Sequence, residues 1–213
     1  MPNKDRCKCN GTGWENYTKD DKEFVRPCIP CSIARFKNKL EPKLRDYSWS
    51  AWKQRPELIE SVRELRSWRG KPWVMTLHAD VPLQSLRNHG SGKTHAAIAT
   101  CFEWIGRGHE PRYCSWPEIA KRHKEMIADE TGPKIALEFQ RDLLVLDELI
   151  KPRTAFEIEL IDRIIDLRYR RLWPTIICTN LTIPELDEVS PRMSDRLWEG
   201  RHLVWQASSW RRR

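Results

Sequence analysis

Beyond Lys71, short apolar runs alternate with amphipathic stretches. Trp73 to Leu77, Pro111 to Ser115, Leu143 to Leu146 and Thr175 to Cys178 have the length of buried strands. Segments opening at Lys93 and at Pro117, and one over about Ala155 to Arg170, carry helical patterning. Strands that alternate with helices predict an α/β fold with a largely parallel sheet covered by helices on both faces.

Upstream the pattern weakens. Ser32 to Trp68 holds charged, helix-competent segments interrupted at Pro42 and Pro56, and Pro56-Glu57-Leu58-Ile59-Glu60 reads as a helix opening with proline and acidic residues in its first turn. The stretch to about Cys31 is rich in Gly, Lys and Asp and too poor in aliphatic residues to build an apolar core. A chain of 213 residues supports one substantial core and a small accessory module. The expected division is a cysteine-bearing module over 1–35, a helical connector over 36–70 and an α/β core over 71–213.

The strongest chemistry sits between the first two strands. His89-Gly90-Ser91-Gly92-Lys93-Thr94-His95 follows an apolar strand and opens a helix. In that setting glycines turn consecutive N–H groups onto phosphates, Lys93 reaches the β and γ phosphates of ATP, and the Thr94 hydroxyl ligates Mg²⁺. Arg87 stands where the full phosphate-loop pattern has glycine, and Ala79 to Leu86 lengthens the link from strand to loop. About fifty residues later Leu143-Leu144-Val145-Leu146-Asp147-Glu148 ends a buried strand in two carboxylates. The first suits the Mg²⁺ shell and the second suits activation of water. Thr175-Ile176-Ile177-Cys178-Thr179-Asn180 then ends a third strand in an amide that can orient a water near the γ-phosphate or cap the next turn.

Four cysteines fall in the first 31 residues as Cys7-x-Cys9 and Cys28-x-x-Cys31. Two close pairs on turns suit a tetrahedral Zn²⁺ site, whose binding energy would replace the missing apolar core; a redox pair or an unstructured tail is the other reading. Cys101, Cys114 and Cys178 lie in apolar or helical contexts and are expected as buried core thiols. A formal charge of +8 suits a polyanionic partner without requiring one. No run approaches the roughly 18 apolar residues of a membrane span, and MPNKDRCKCN lacks a signal-peptide core, so a cytoplasmic protein without membrane contact is expected. Eleven tryptophans without a period point to packing rather than a base-stacking array.

From about Tyr47 to Arg211 the chain resembles the DnaC/DnaI-type replicative helicase loaders, AAA+ ATPases related to the IstB transposition proteins. The resemblance rests on Gly90-Ser91-Gly92-Lys93-Thr94-His95, Leu143 to Glu148, Arg168-Tyr169-Arg170, Pro174 to Leu181 and Ser194-Asp195-Arg196-Leu197. It implies an AAA+ P-loop core of additional-strand order, truncated before a helical lid. It matches Asn180 to the sensor residue and Arg196 to an arginine finger that enters a neighbouring subunit's ATP site, with Arg192 the next candidate and a solvated surface arginine the plain alternative. A finger supplied in trans implies a homo-oligomer. Ser209-Trp210-Arg211 resembles the family's terminal Ser-aromatic-Arg. The implied function is ATP-dependent loading of the replicative DNA helicase onto single-stranded DNA, with the cysteine module as an adaptor to helicase or DNA. An IstB-like transposition helper, or a zinc-dependent adaptor with a decayed ATPase site, are the alternatives.

Overall fold

The structure is a computed structural model, and it describes residues 7, 9–80, 90–128 and 139–207. A two-stranded antiparallel hairpin comes first, β1 (Trp14–Lys19) and β2 (Lys22–Pro27). It is followed by helices α1 (Ile29–Asn38) and α2 (Ile59–Ser67). The remaining elements are β3 (Val74–His78), α3 (Lys93–Gly106), β4 (Pro111–Ser115), α4 (Trp116–Ala128), β5 (Leu143–Leu149), α5 (Ala155–Arg170), β6 (Thr175–Thr179), α6 (Ile183–Val189), α7 (Pro191–Trp198) and β7 (Arg201–Val204). The sheet has the order β4-β5-β6-β3-β7 with every pairing parallel, as the alternation of strand and helix patterns predicts.

Alternation within each strand divides the core in two. Met75, Leu77, Val145, Ile176 and Cys178 face α1, α2 and α3. Val74, Leu144, Leu146 and Ile177 face α4, α5, α6 and α7. Residues i and i+1 of a strand point to opposite faces, so continuous apolar strands are what a sheet covered on both sides requires. α1 runs across the expected boundary at residue 35, and its Phe36 joins Leu40, Leu44, Leu58 and Leu65 in the first layer. The segment between cysteines and sheet is therefore a wall of the core. The tryptophans serve packing: Trp68 lies 5.7 Å from Trp104, and Trp73 lies 5.7 Å from Tyr169.

One element of the resemblance proves to be architectural. Arg168 is fully buried on α5 and donates to Thr175 Oγ1 (2.9 Å), Phe139 O (2.7 Å), Arg141 O (3.0 Å) and Pro174 O. Burial pulls its guanidinium down to about 9. It fastens the entries of β5 and β6 to α5, at the opposite end of the strands from Asp147 and Asn180. A fork of donors satisfies several carbonyls that an apolar side chain would leave unpaired.

Candidate nucleotide site and cysteine cluster

α3 begins where a chain with Cβ atoms would be strained. Gly90 and Gly92 have φ of 70° and 98°, left-handed values that glycine adopts freely, and Gly92 caps the helix that Lys93 opens. Trp205 Nε1, just past β7, donates to Ser91 O (3.3 Å) and pins the loop from below. Lys93 is buried, its Nζ within 3.4 Å of Ser91 Oγ, and burial lowers its pKa against the opposing pull of Cys178 and Asp147. Two independent sequence features thus face each other: the loop lysine and the carboxylate of β5.

At the end of β5 the ladder to β6 breaks between Leu146 and Leu149, and Glu148 takes a left-handed φ of 56°. That conformation costs about 1–2 kcal/mol in a residue with a Cβ. Such strain gathers at functional sites because surrounding structure holds it. Here the turn leaves Asp147 buried and Glu148 exposed on the rim of a cavity of about 400 Å³. Asp147 Oδ1 accepts from the Glu148 N–H (2.8 Å) and Oδ2 from the Tyr113 hydroxyl (2.8 Å). Glu148 Oε2 accepts from Ser115 Oγ (3.2 Å). Burial, and the charge of Asp147 beside it, raise the Tyr113 pKa, so its hydroxyl stays a donor.

Gly90, Ser91, Gly92, Lys93, Thr94, Asp147, Glu148 and Asn180 all line this one cavity. Its size and its cationic, N–H-rich floor fit a nucleoside triphosphate, and Thr94 with Asp147 supplies oxygen donors of the kind Mg²⁺ takes. Arg196 is elsewhere. It forms an ion pair with Asp166 and lies over the Tyr169 ring (5.4 Å), its side chain 14% exposed. Arg192, more exposed, shares the same carboxylate at 3.4 Å. Arg87, His89 and Ser209-Trp210-Arg211 lie outside the described residues.

Sequence reasoning missed the cavity's second wall. Tyr47, Ala51 and Lys53, from the segment before α2, line it as well. His95 holds that segment in place: its ring stacks on Tyr47 (4.6 Å, 5°), meets Trp52 edge-on (5.2 Å), and its Nε2 donates to Ser48 O (2.8 Å). The missed signal was the aromatic cluster Tyr47-Ser48-Trp49-Ser50-Ala51-Trp52, which has no period to advertise it. Tyr113 and Ser115 were missed because they act from β4, a strand without a motif.

The cysteine sulfurs of Cys7, Cys9, Cys28 and Cys31 lie within 4.8 Å of one another, three of the four residues buried. Cys7 and Cys9 sulfurs are 3.2 Å apart, Cys9 and Cys31 3.4 Å. Tetrahedral Zn–S bonds of about 2.3 Å place sulfurs about 3.8 Å apart, so the set fits a zinc ion. Cys101, Cys114 and Cys178 are buried in the core as expected.

No family model matches the chain. It is 29% identical over 126 residues to the replicative helicase loader DnaC of Escherichia coli strain K12, covering 57% of this chain and 51% of that protein, and equally to DnaC of Shigella flexneri. The chain thus spans about half the length of the curated relatives it matches. The fold is similar to the crystal structure of the DnaC helicase loader (TM-score 0.60, 20% identity, 78% of this chain and 99% of that one). It is also similar to DnaI (0.61, 15%, 79% and 95%) and to AMPPCP-bound DnaA from Aquifex aeolicus (0.62, 22%, 78% and 51%). The fold is shared with the DnaC, DnaI and DnaA structures, and the sequence likeness is to the replicative helicase loader DnaC.

Proposed function

We infer, from this likeness together with the shared cavity, that the chain is a cytoplasmic ATPase that loads a replicative helicase onto single-stranded DNA. The observation that carries the reading is the convergence of Lys93, Asp147, Glu148 and Asn180 on one cavity from three different strand ends. Lys93 binds the β and γ phosphates; Asp147, with Thr94, orients the Mg²⁺ shell; Glu148 takes the proton of the attacking water; Asn180 positions that water. Mg²⁺, when bound, neutralises charge on the phosphate oxygens. Retention of both carboxylates and their hydrogen-bond partners argues against a decayed site.

Arg196 serves a neighbouring copy in this reading. It stands apart from its own chain's cavity, and to act in trans it exchanges Asp166 for a neighbour's γ-phosphate, so hydrolysis requires a homo-oligomer. The four cysteines hold a structural Zn²⁺ that folds residues 1–35, the adaptor to helicase or DNA, ahead of the connector over 36–70 and the core over 71–213. No helix among the described residues is long and apolar enough to cross a membrane.

The test is hydrolysis and capture. Purified protein should turn over ATP with Mg²⁺, and Glu148→Gln should lower kcat by roughly 10²-fold or more. Mixing Glu148→Gln with Arg196→Ala protein should restore turnover at interfaces that pair an intact Glu148 with an intact Arg196. A hexameric helicase identified in the captured complex supports loading; a transposase in its place would move the chain to the transposition helpers, and no turnover at any protein concentration would end the ATPase reading.

A further inference from the structure

A second cleft lies behind the nucleotide site, on the far side of β4. β4 is one of the two edge strands of the sheet among the described residues. Between it, the C-terminal half of α1 and the first turns of α4 are two adjoining cavities of about 310 and 180 Å³ that share Lys39 and Arg141. Arg35, Lys39, Arg112, Arg122 and Arg141 line them, against Glu110 and Glu118. Arg35, Lys39, Arg122 and Arg141 are exposed. Arg112 is fixed in the wall, its Nε 3.0 Å from Cys114 Sγ and its guanidinium over the Phe139 ring at 5.6 Å. Glu110 is engaged with Arg141 at 3.9 Å.

We propose that this cationic cleft binds the phosphate backbone of single-stranded nucleic acid. Three features favour that occupant. Four of the five cations are arginines, whose planar forks match phosphate oxygens in pairs. The two cavities adjoin and share Lys39 and Arg141, which suits a chain with repeated charges rather than one small anion. The excess of five cations over two carboxylates supplies the counterion release that drives such binding. The inference rests on the reading of the chain as a DNA-acting loader and adds the place where the strand sits.

The cleft also reaches a carboxylate of the nucleotide site through one side chain. Tyr113 forms part of its wall and donates to Asp147 Oδ2 at 2.8 Å. A strand seated in the cleft therefore presses on a residue that orients the Mg²⁺ carboxylate, which links occupancy to turnover.

Binding of a fluorescent oligothymidylate to the full chain, followed by anisotropy without nucleotide, isolates the cleft from the ATPase. Lys39→Gln/Arg122→Gln should weaken binding roughly tenfold at moderate salt and flatten the slope of log K against log salt by about 0.7 for each phosphate no longer neutralised. Lys39→Arg/Arg122→Lys should retain both, and unchanged thermal midpoints report intact folding. Stimulation of ATP turnover by the oligonucleotide should be lost in the Gln variant while basal turnover stays. If the Gln variant binds with wild-type affinity and slope, the cleft is not the site, though the loader reading stands on its own turnover and capture tests. Loss of polyglutamate binding with oligonucleotide binding intact would assign the cleft to an acidic protein segment and overturn the proposal. A wild-type chain that binds no oligonucleotide overturns it as well.

Discussion

The hairpin and the sheet are held by different physics. β1 and β2 bury almost nothing: Trp14, Phe24 and Val25 are 52%, 41% and 62% exposed, and the side chains that steady the pair are the Tyr17–Phe24 stack and the Arg26–Glu15 ion pair. The buried cluster of this region is Cys9, Cys28 and Cys31, with the partly buried Cys7 packed against them. In the sheet every residue of β3 and β6 is buried. If the cysteines hold zinc as proposed, one part depends on a few metal ligands and the other on apolar area, so they should fail separately.

The largest effect expected follows from this. Structural zinc contributes on the order of 10–16 kcal/mol of apparent binding energy in small modules. Elemental analysis should find about one Zn²⁺ per chain. Cys28→Ser, or strong chelation, should expose residues before α1 to protease while the core still unfolds cooperatively near its original temperature. A core that melts along with the hairpin would show that the two are one unit.

Next in size is the fastening within the core. Arg168→Met removes a buried fork and leaves Phe139 O, Arg141 O and Pro174 O without their donor, a loss of about 3–5 kcal/mol. For a domain of this size that lowers the thermal midpoint by about 10 °C. Metal content should not change. A midpoint unmoved in calorimetry would remove Arg168 from the architecture and return it to the surface chemistry of its motif.

Smaller still, and confined to chemistry, is Tyr113→Phe. A hydrogen bond to a charged group contributes about 1.5–3 kcal/mol, so kcat should fall roughly tenfold or more. The Mg²⁺ concentration for half-maximal rate should rise, while the thermal midpoint and the ATP KM hold. A merely structural tyrosine would move the midpoint and leave the Mg²⁺ dependence alone.

What could be read in advance follows the same division. β3, β5 and β6 announce themselves because strands buried on both faces are continuous apolar runs, and their order with the glycines and carboxylates implies the cavity. The hairpin was invisible: its strands, such as Lys22-Glu23-Phe24-Val25-Arg26, are mostly exposed, so no apolar period marks them. β7 buries only Leu203 of its four residues, and its place in the sheet is set by pairing with β3 rather than by pattern. Asp147 and Lys93 were legible as motif positions. Tyr113, Ser115 and Lys53 were not, because their role arises where segments distant in sequence come side by side.

The smallest effect is a pH dependence that belongs to the core alone. His78, His95, His123 and His202 each have a pKa lowered from the ordinary 6.5, with burial the first cause. Backbone hydrogen bonds to Ala79, Ser48 and Leu197 pull the other way for His78, His95 and His202, and Asp80 also opposes at His78. Lys93 beside His78, Arg112 and Arg122 beside His123, and His78 beside His202 add to the lowering. A base whose folded pKa lies below its unfolded one binds fewer protons when folded, so stability rises with pH across that window. It is fully present above about 6.5 and is lost as pH falls through the folded values. Acid would also protonate the thiolates of the proposed zinc site, which would mask this in the intact chain. In Cys28→Ser protein the hairpin no longer contributes, so a core midpoint that still drops between neutral pH and pH about 5 isolates the histidines. A midpoint flat over that range in the same protein would place all acid sensitivity in the cysteine cluster.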